Sequence, residues 1–182
     1  SSKELGLTAE ATGLLELPDE APVGQDIRQY LDLNDKQFVI KLTPNRSDCL
    51  SLQGIAREVS AITGSQLMLP LIQPVAVTAA KQHSVTVLAS DACPYYAGRY
   101  ITGVNAQAAT PAWMIRSLER SGIRSISAIV DVTNYVLLEQ GQPLHAFDAD
   151  KLNGAIQVRM AQANESLVLL NEQTVKLHDD ML

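Results

Sequence analysis

Aromatic residues make up only 4% of this 182-residue chain, and cysteine occurs twice, at Cys49 and Cys93. Two cysteines this far apart exclude a disulfide framework and a CxxC pair, and they suit a reducing compartment. No apolar run approaches the roughly 20 residues that a membrane span needs, and nothing at the N-terminus resembles a signal peptide. A cytoplasmic location with no membrane partner is therefore expected. The chain also lacks a Gly-rich phosphate loop, a GxSxG elbow and an HExxH pair. ATP-dependent activation has no visible machinery here, and neither a cofactor nor a metal is expected in this chain. Basic side chains are in deficit, 14 against 20 acidic ones, which gives a net charge of −6. At face value that argues against a nucleic-acid partner.

Aliphatic residues carry most of the 46% hydrophobic content, as in mixed α/β material. The length suits one domain, or one domain with part of another. The charge is uneven. Residues 1–36 hold three basic and eight acidic side chains, whereas between Cys93 and Val130 the sole acid is Glu119, against Arg99, Arg116, Arg120 and Arg124. A local anion-binding face is compatible with the global acidity. The chain begins Ser1-Ser2 without Met and stops at Met181-Leu182 just as an apolar segment starts. It is expected to be a fragment.

Residues 1–36 are turn-rich, with Leu14–Leu17 as a short strand and a short run around Ile27 to Leu31. Residues 37–43 (QFVIKLT) alternate as a strand does. Pro44 to Asp48 form a turn ending in N-cap chemistry. The following helix places Leu52, Ile55, Ala56, Val59 and Ile62 on one stripe and ends at Gly64. Pro70 and Pro74 mark Leu67 to Thr78 as a linker and the main domain boundary. Beyond it, 84–89 and 96–104 read as strands. Thr110-Pro111 opens a helix in the expected way, hydroxyl cap then proline, and Gly122 closes it. Ser127 caps a helix over 128–140, which ends at Gly141. Strands at 156–160, 166–170 and 174–177 follow, with a turn at Asn171-Glu172.

Three clusters invite chemistry. Asn45-Arg46-Ser47-Asp48 at a helix start can cradle a phosphate, or it is a turn whose Arg pairs with a carboxylate. Arg116, Arg120 and Arg124 can meet a nucleic-acid backbone, or they form a solvated face. In the third helix Asp131 and Asn134 lie on one face of an apolar segment, where a buried amide must find partners. Gly141, Gln142, Pro143 and His145 follow directly. Asn134 with Pro143 and His145 suits the wall of a pocket, and equally a satisfied core. Cys49 reads as a buried structural thiol.

The runs LTPNRSDCLSLQGIAREVSAITG (42–64), CPYYAGRYITGV (93–104) and GIRSISAIVDVTNYVLLEQGQPLHAFD (122–148) strongly resemble the β subunits of bacterial phenylalanyl-tRNA synthetases. The opening KELGLTAEATGLLELPDEAPVGQDIRQYL resembles them too. The resemblance implies an α+β fold, a mixed α/β editing-type domain preceded by a small helix-containing segment. On that layout residues 1–36 are the tail of an OB-type tRNA-binding domain. Residues 37–76 are part of a small N-terminal domain, and residues 77–182 the first part of an editing domain.

That domain hydrolyses tyrosine wrongly attached to the phenylalanine tRNA. Arg124, Asn134, Pro143 and His145 match positions lining its pocket. The resemblance assigns His145 and Asn134 to the catalytic site, and Arg124 and Pro143 to substrate binding. A Glu and small or Thr residues from later strands complete the family's pocket beyond Leu182. The partners implied are tRNA and, in an α2β2 heterotetramer, the α subunit; ATP and Mg2+ are expected for that holoenzyme only. The alternative is a non-catalytic scaffold or RNA-binding piece.

Overall fold

Ser51 opens the helix with the clearest sequence pattern. Its backbone is extended (φ −149°, ψ 160°), and its Oγ accepts the Gly54 N–H at 3.0 Å, satisfying an orphan donor of the first turn. The structure is a computed structural model that describes residues 1–7 and 13–182, and its chain divides into two compact units, Ser1–Lys41 and Leu42–Leu182.

In the first unit a single turn of helix, α1 (Ile27–Tyr30), is capped by Asp26, whose carboxylate accepts the Arg28 N–H at 2.8 Å. Neither strand expected there forms. Leu14–Leu17 and the 37–41 part of the QFVIKLT run pair with no other strand among the described residues, and Phe38 and Val39 are exposed. Alternation prepares a segment to be a strand, but a strand exists only where a second backbone accepts its N–H groups.

The second unit has the mixed α+β architecture anticipated. In chain order it contains α2 (Leu52–Thr63), β1 (Val85–Val87), α3 (Ala112–Arg120), α4 (Ala128–Gln140), β2 (Ile156–Val158), β3 (Ser166–Val168) and β4 (Thr174–Lys176). Gly64 and Gly141 end α2 and α4 in the left-handed conformation, at φ 69° and 78°, where a side chain would be strained. β1 and β2 pair in parallel, Val85 opposite Ile156 and Val87 opposite Val158. β3 and β4 form a hairpin that turns at Asn171-Glu172, with Leu167 opposite Val175. Residues 96–104, expected as a strand, form none; Arg99 instead donates to the Val75 carbonyl, and the Lys81 ammonium sits 4.8 Å above the Tyr100 ring. These two contacts tie the irregular 64–83 stretch to the following segment.

Two caps differ from the sequence reading. The α2 cap is Ser51, because Ser47–Cys49 forms a separate 3-10 turn and the Asp48 carboxylate is taken by Arg46. Thr110 is not the cap of α3. Pro111 holds that position, and the Thr110 hydroxyl donates to Asp131.

The core lies between α3 and α4. Met114 and Leu118 are buried there, and Trp113 meets Tyr135 edge-on at 5.1 Å between ring centroids. Elsewhere burial is sparse: Leu52 is 67% and Ile62 76% exposed, so the apolar stripe of α2 is largely uncovered. The accessible surface is 15143 Å² for a 19.7 kDa chain. Two separately folded bodies dividing that mass at the observed boundary would expose about 10,000 Å².

Candidate functional site

α4 organises the four residues singled out in the sequence. Its length of 13 residues corresponds to about 20 Å of axis. Arg124 lies in the turn before its first residue, Asn134 at its middle, and Pro143 and His145 in the loop just past Gly141. Arg124, Pro143 and His145 are exposed, and Asn134 is half-buried. Among the described residues none of the four hydrogen-bonds to another. The two loops sit at opposite ends of the helix.

The C-terminal loop has some order of its own. Gln142 donates from Nε2 to the Pro143 carbonyl at 3.2 Å, and the His145 and Phe147 rings lie 6.2 Å apart, tilted by 36°. A Cβ on Gly141 would meet the Ser51 Oγ at 3.0 Å, so the end of α4 is seated on the start of α2. The Asn134 amide makes no hydrogen bond to the described residues. At intermediate burial the amide still reaches solvent.

Asp131, one turn before Asn134, is the best-satisfied polar group of the region. Its carboxylate is 0% exposed. It accepts from the Thr110 hydroxyl at 2.5 Å, the Ser125 hydroxyl at 2.6 Å and the Ile126 N–H at 2.9 Å. Burial pushes its carboxyl up, but the hydrogen bonds from Ser125, Thr110 and the backbone outweigh this and hold it below the ordinary carboxylate range. Sequence reading saw a satisfied core Asp here and missed what it fastens. Ser125, six residues upstream, was the available signal.

Of the basic residues, Arg116 and Arg120 are half-buried on α3 and each interacts within the fold. Arg124, past the Gly122 break at φ 80°, has no hydrogen-bond or ion-pair partner among the described residues.

The Arg46 cluster resolves toward its simpler reading. The guanidinium bonds Asp48 at 3.0 and 2.9 Å, reaches Glu58 on α2 with two more bonds, and contacts the Cys49 sulfur at 3.1 Å. These contacts hold Arg46 more basic than usual, and they hold both carboxyls below the ordinary range. Cys49 is 5% exposed, and burial pushes its thiol up while Arg46 partly counters. It is structural. Asp48, Cys49 and Glu58 have potential ligand atoms within 4.8 Å of one another, close enough to hold an ion. Their donor set does not fit Mg2+: one of three is a thiol, where Mg2+ demands oxygen, and the carboxylates already bond Arg46.

Comparison with known proteins decides the family. A model of the B3/4 domain matches residues 92–182, half of the chain. The chain belongs to the B3/4 domain family. Its full length also matches proteins named phenylalanine–tRNA ligase beta subunit. The Dechloromonas aromatica protein is 61% identical over 182 residues and that of Thiobacillus denitrificans 58% over 182. The protein from Neisseria meningitidis serogroup B is 52% identical over 183 residues. In each case all of this chain is covered, and it spans 23% of the relative's length. Both α3 and α4, with the loops bearing Arg124, Pro143 and His145, fall inside the B3/4 match. No described helix is long and apolar enough to cross a membrane.

Proposed function

We propose that this chain supplies one wall of a proofreading site that hydrolyses tyrosine from mischarged phenylalanine tRNA. The observation that carries the reading is the 61% identity, over all 182 residues, to a phenylalanine–tRNA ligase beta subunit. The half-buried Asn134 side chain, unbonded among the described residues, adds support. In the reaction water adds to the ester carbonyl, the bond to the terminal ribose breaks, and the freed ribose hydroxyl takes a proton. Asn134 orients polar groups of the substrate, and Pro143 shapes the wall. His145 aims the water or holds the terminal ribose. Arg124 holds the anionic 3′ end by charge. These roles are positional, since no acid–base pair is complete in these four residues. Telling tyrosine from phenylalanine requires a partner for the phenolic hydroxyl, and that partner lies outside them.

In the same reading, residues 1–36 end an OB-type tRNA-binding domain, 37–76 belong to a small N-terminal domain, and 77–182 begin the editing domain. The protein works in the cytoplasm within an α2β2 phenylalanine-tRNA ligase, where ATP and Mg2+ serve aminoacylation. No hydrolytic step here runs through either. The test is tyrosine release from mischarged tRNA by the intact protein carrying His145→Ala, Asn134→Ala or Arg124→Ala. Losses of about tenfold to a hundredfold are expected for lost positioning. Parental rates in all three would refute the assignment.

The exposure of Arg124, Pro143 and His145 favours a second reading, a non-catalytic scaffold or RNA-binding piece. Binding of a non-hydrolysable 3′-tyrosyl-adenosine analogue separates the two. Saturable binding weakened by Arg124→Ala supports the pocket, and no binding supports the scaffold.

A further inference from the structure

A carboxylate with no exposure is a costly choice for holding a fold together. Apolar replacements of buried charges are often neutral or stabilising, so a buried charge is weak evidence of a purely stabilising role. Asp131 nevertheless sits at 0% exposure with both oxygens occupied. Its donors come from three places: Thr110 before α3, and Ser125 and Ile126, the two residues that follow Arg124. Asp131 belongs to the first turns of α4, so it fastens the turn carrying Arg124 to that helix and to the start of α3. The hydroxyl of one neighbour and the amide of the next are both held, which restrains the backbone just beyond Arg124. The Ser127 hydroxyl makes no cap bond of its own. The geometry of the turn therefore depends on Asp131.

We propose that Asp131 is a positioning residue of the hydrolytic site, acting through Arg124 to direct its guanidinium at the anionic 3′ end of the substrate. The inference rests on the hydrolytic reading above. It differs from a stabilising role in one respect: the effect of Asp131 should disappear when Arg124 is absent.

The experiment is saturation kinetics of tyrosyl-tRNA hydrolysis by the intact protein carrying Asp131→Asn, Arg124→Ala or both. Thermal midpoints are recorded in parallel. Asp131→Asn keeps the shape but adds a donor where Ser125 and Thr110 already donate. It is expected to raise KM about tenfold, the worth of a charged hydrogen bond, with kcat little changed. Arg124→Ala raises KM likewise, and the double variant raises it no further. If Asp131→Asn does not fold, Ser125→Ala removes one hydroxyl only and is expected to raise KM by about threefold, again only while Arg124 is present. Parental KM in a folded Asp131→Asn protein, or multiplicative effects in the double variant, would overturn the proposal. Absence of hydrolysis by the parent protein would overturn the hydrolytic reading and this inference with it.

Discussion

Gly54 is the residue of α2 whose replacement should do the most harm. A Cβ built there falls 1.8 Å from the Asp48 carbonyl oxygen, 2.9 Å from its carbon and 3.1 Å from the Cys49 Cα, all backbone atoms. Ordinary contact begins near 3.4 Å, so Gly54→Ala must drive the Ser47–Cys49 turn away from the helix by more than 1 Å. That turn holds Asp48 and the buried Cys49, and the Arg46 clamp joins it to Glu58. Alanine gains about 1 kcal/mol in helix propensity over glycine. Against this stand overpacking, about 1–3 kcal/mol or more, and disruption of a buried contact region. The net expectation is destabilisation by about 2–4 kcal/mol. Urea unfolding followed by the fluorescence of Trp113, the single tryptophan, measures it. Gly64→Ala is the control: nothing lies within 4 Å of its Cβ, and only the backbone at φ 69° resists, so its cost should stay near 1 kcal/mol. A Gly54→Ala protein as stable as the parent, with Gly64→Ala the worse of the two, would refute the reasoning.

Two further outcomes are expected. Glu165 binds Arg159 at 2.7 and 2.9 Å and accepts the Gln162 N–H, which together bring its carboxyl down to about 2. A depressed carboxyl stabilises the fold above its unfolded value of 4.5 and loses that contribution as pH falls toward about 2. Glu165→Gln should therefore flatten the loss of stability across that window, as read by unfolding midpoints at a series of pH values; an unchanged acid limb contradicts it. Thiol labelling should distinguish the cysteines: half-buried Cys93 reacts first, while Cys49, buried and held less acidic than usual, reacts at the rate of global unfolding. Equal labelling rates under native conditions would show that the Arg46 turn opens freely.

The helices were legible because their signals are local. A stripe and a glycine stop placed α2, although the sequence pattern sets its start at the Pro44–Asp48 turn rather than at Ser51, and a serine cap and a glycine stop placed α4 to the residue. The short strands 85–87, 156–158, 166–168 and 174–176 were visible for similar reasons. Runs 14–17, 37–43 and 96–104 failed because pairing is non-local. Phe38 and Val39 satisfy the alternation and still have no described strand beside them. Thr110 is the instructive miss. Hydroxyl-then-proline is a sound capping rule, but a buried carboxylate 21 residues on competed for the hydroxyl and won. For the candidate site, local chemistry leaves Asn134, Pro143 and His145 open between a pocket wall and a satisfied core, and the family resemblance joins Arg124 to them. The helix over 128–140 that separates Arg124 from Pro143 and His145 was legible as well, whereas the hydrogen bonds that Ser125 and Ile126 make to Asp131 were not.

The parallel pairing of β1 with β2 has a consequence in time. Its partners, Val85 and Ile156, are about 70 residues apart, so closing the loop between them costs about 4 kcal/mol of chain entropy by the logarithmic rule. Three paired residues cannot offset that unless α3 and α4 have already packed. At 5–20 residues per second of synthesis, β1 waits roughly 4 to 14 s on the ribosome before its partner is made. Arg124, Asn134, Pro143 and His145 all lie within that span. The candidate site is thus laid down inside an unclosed crossover, and a slow codon or a chaperone acting in those seconds would meet it before the strands do.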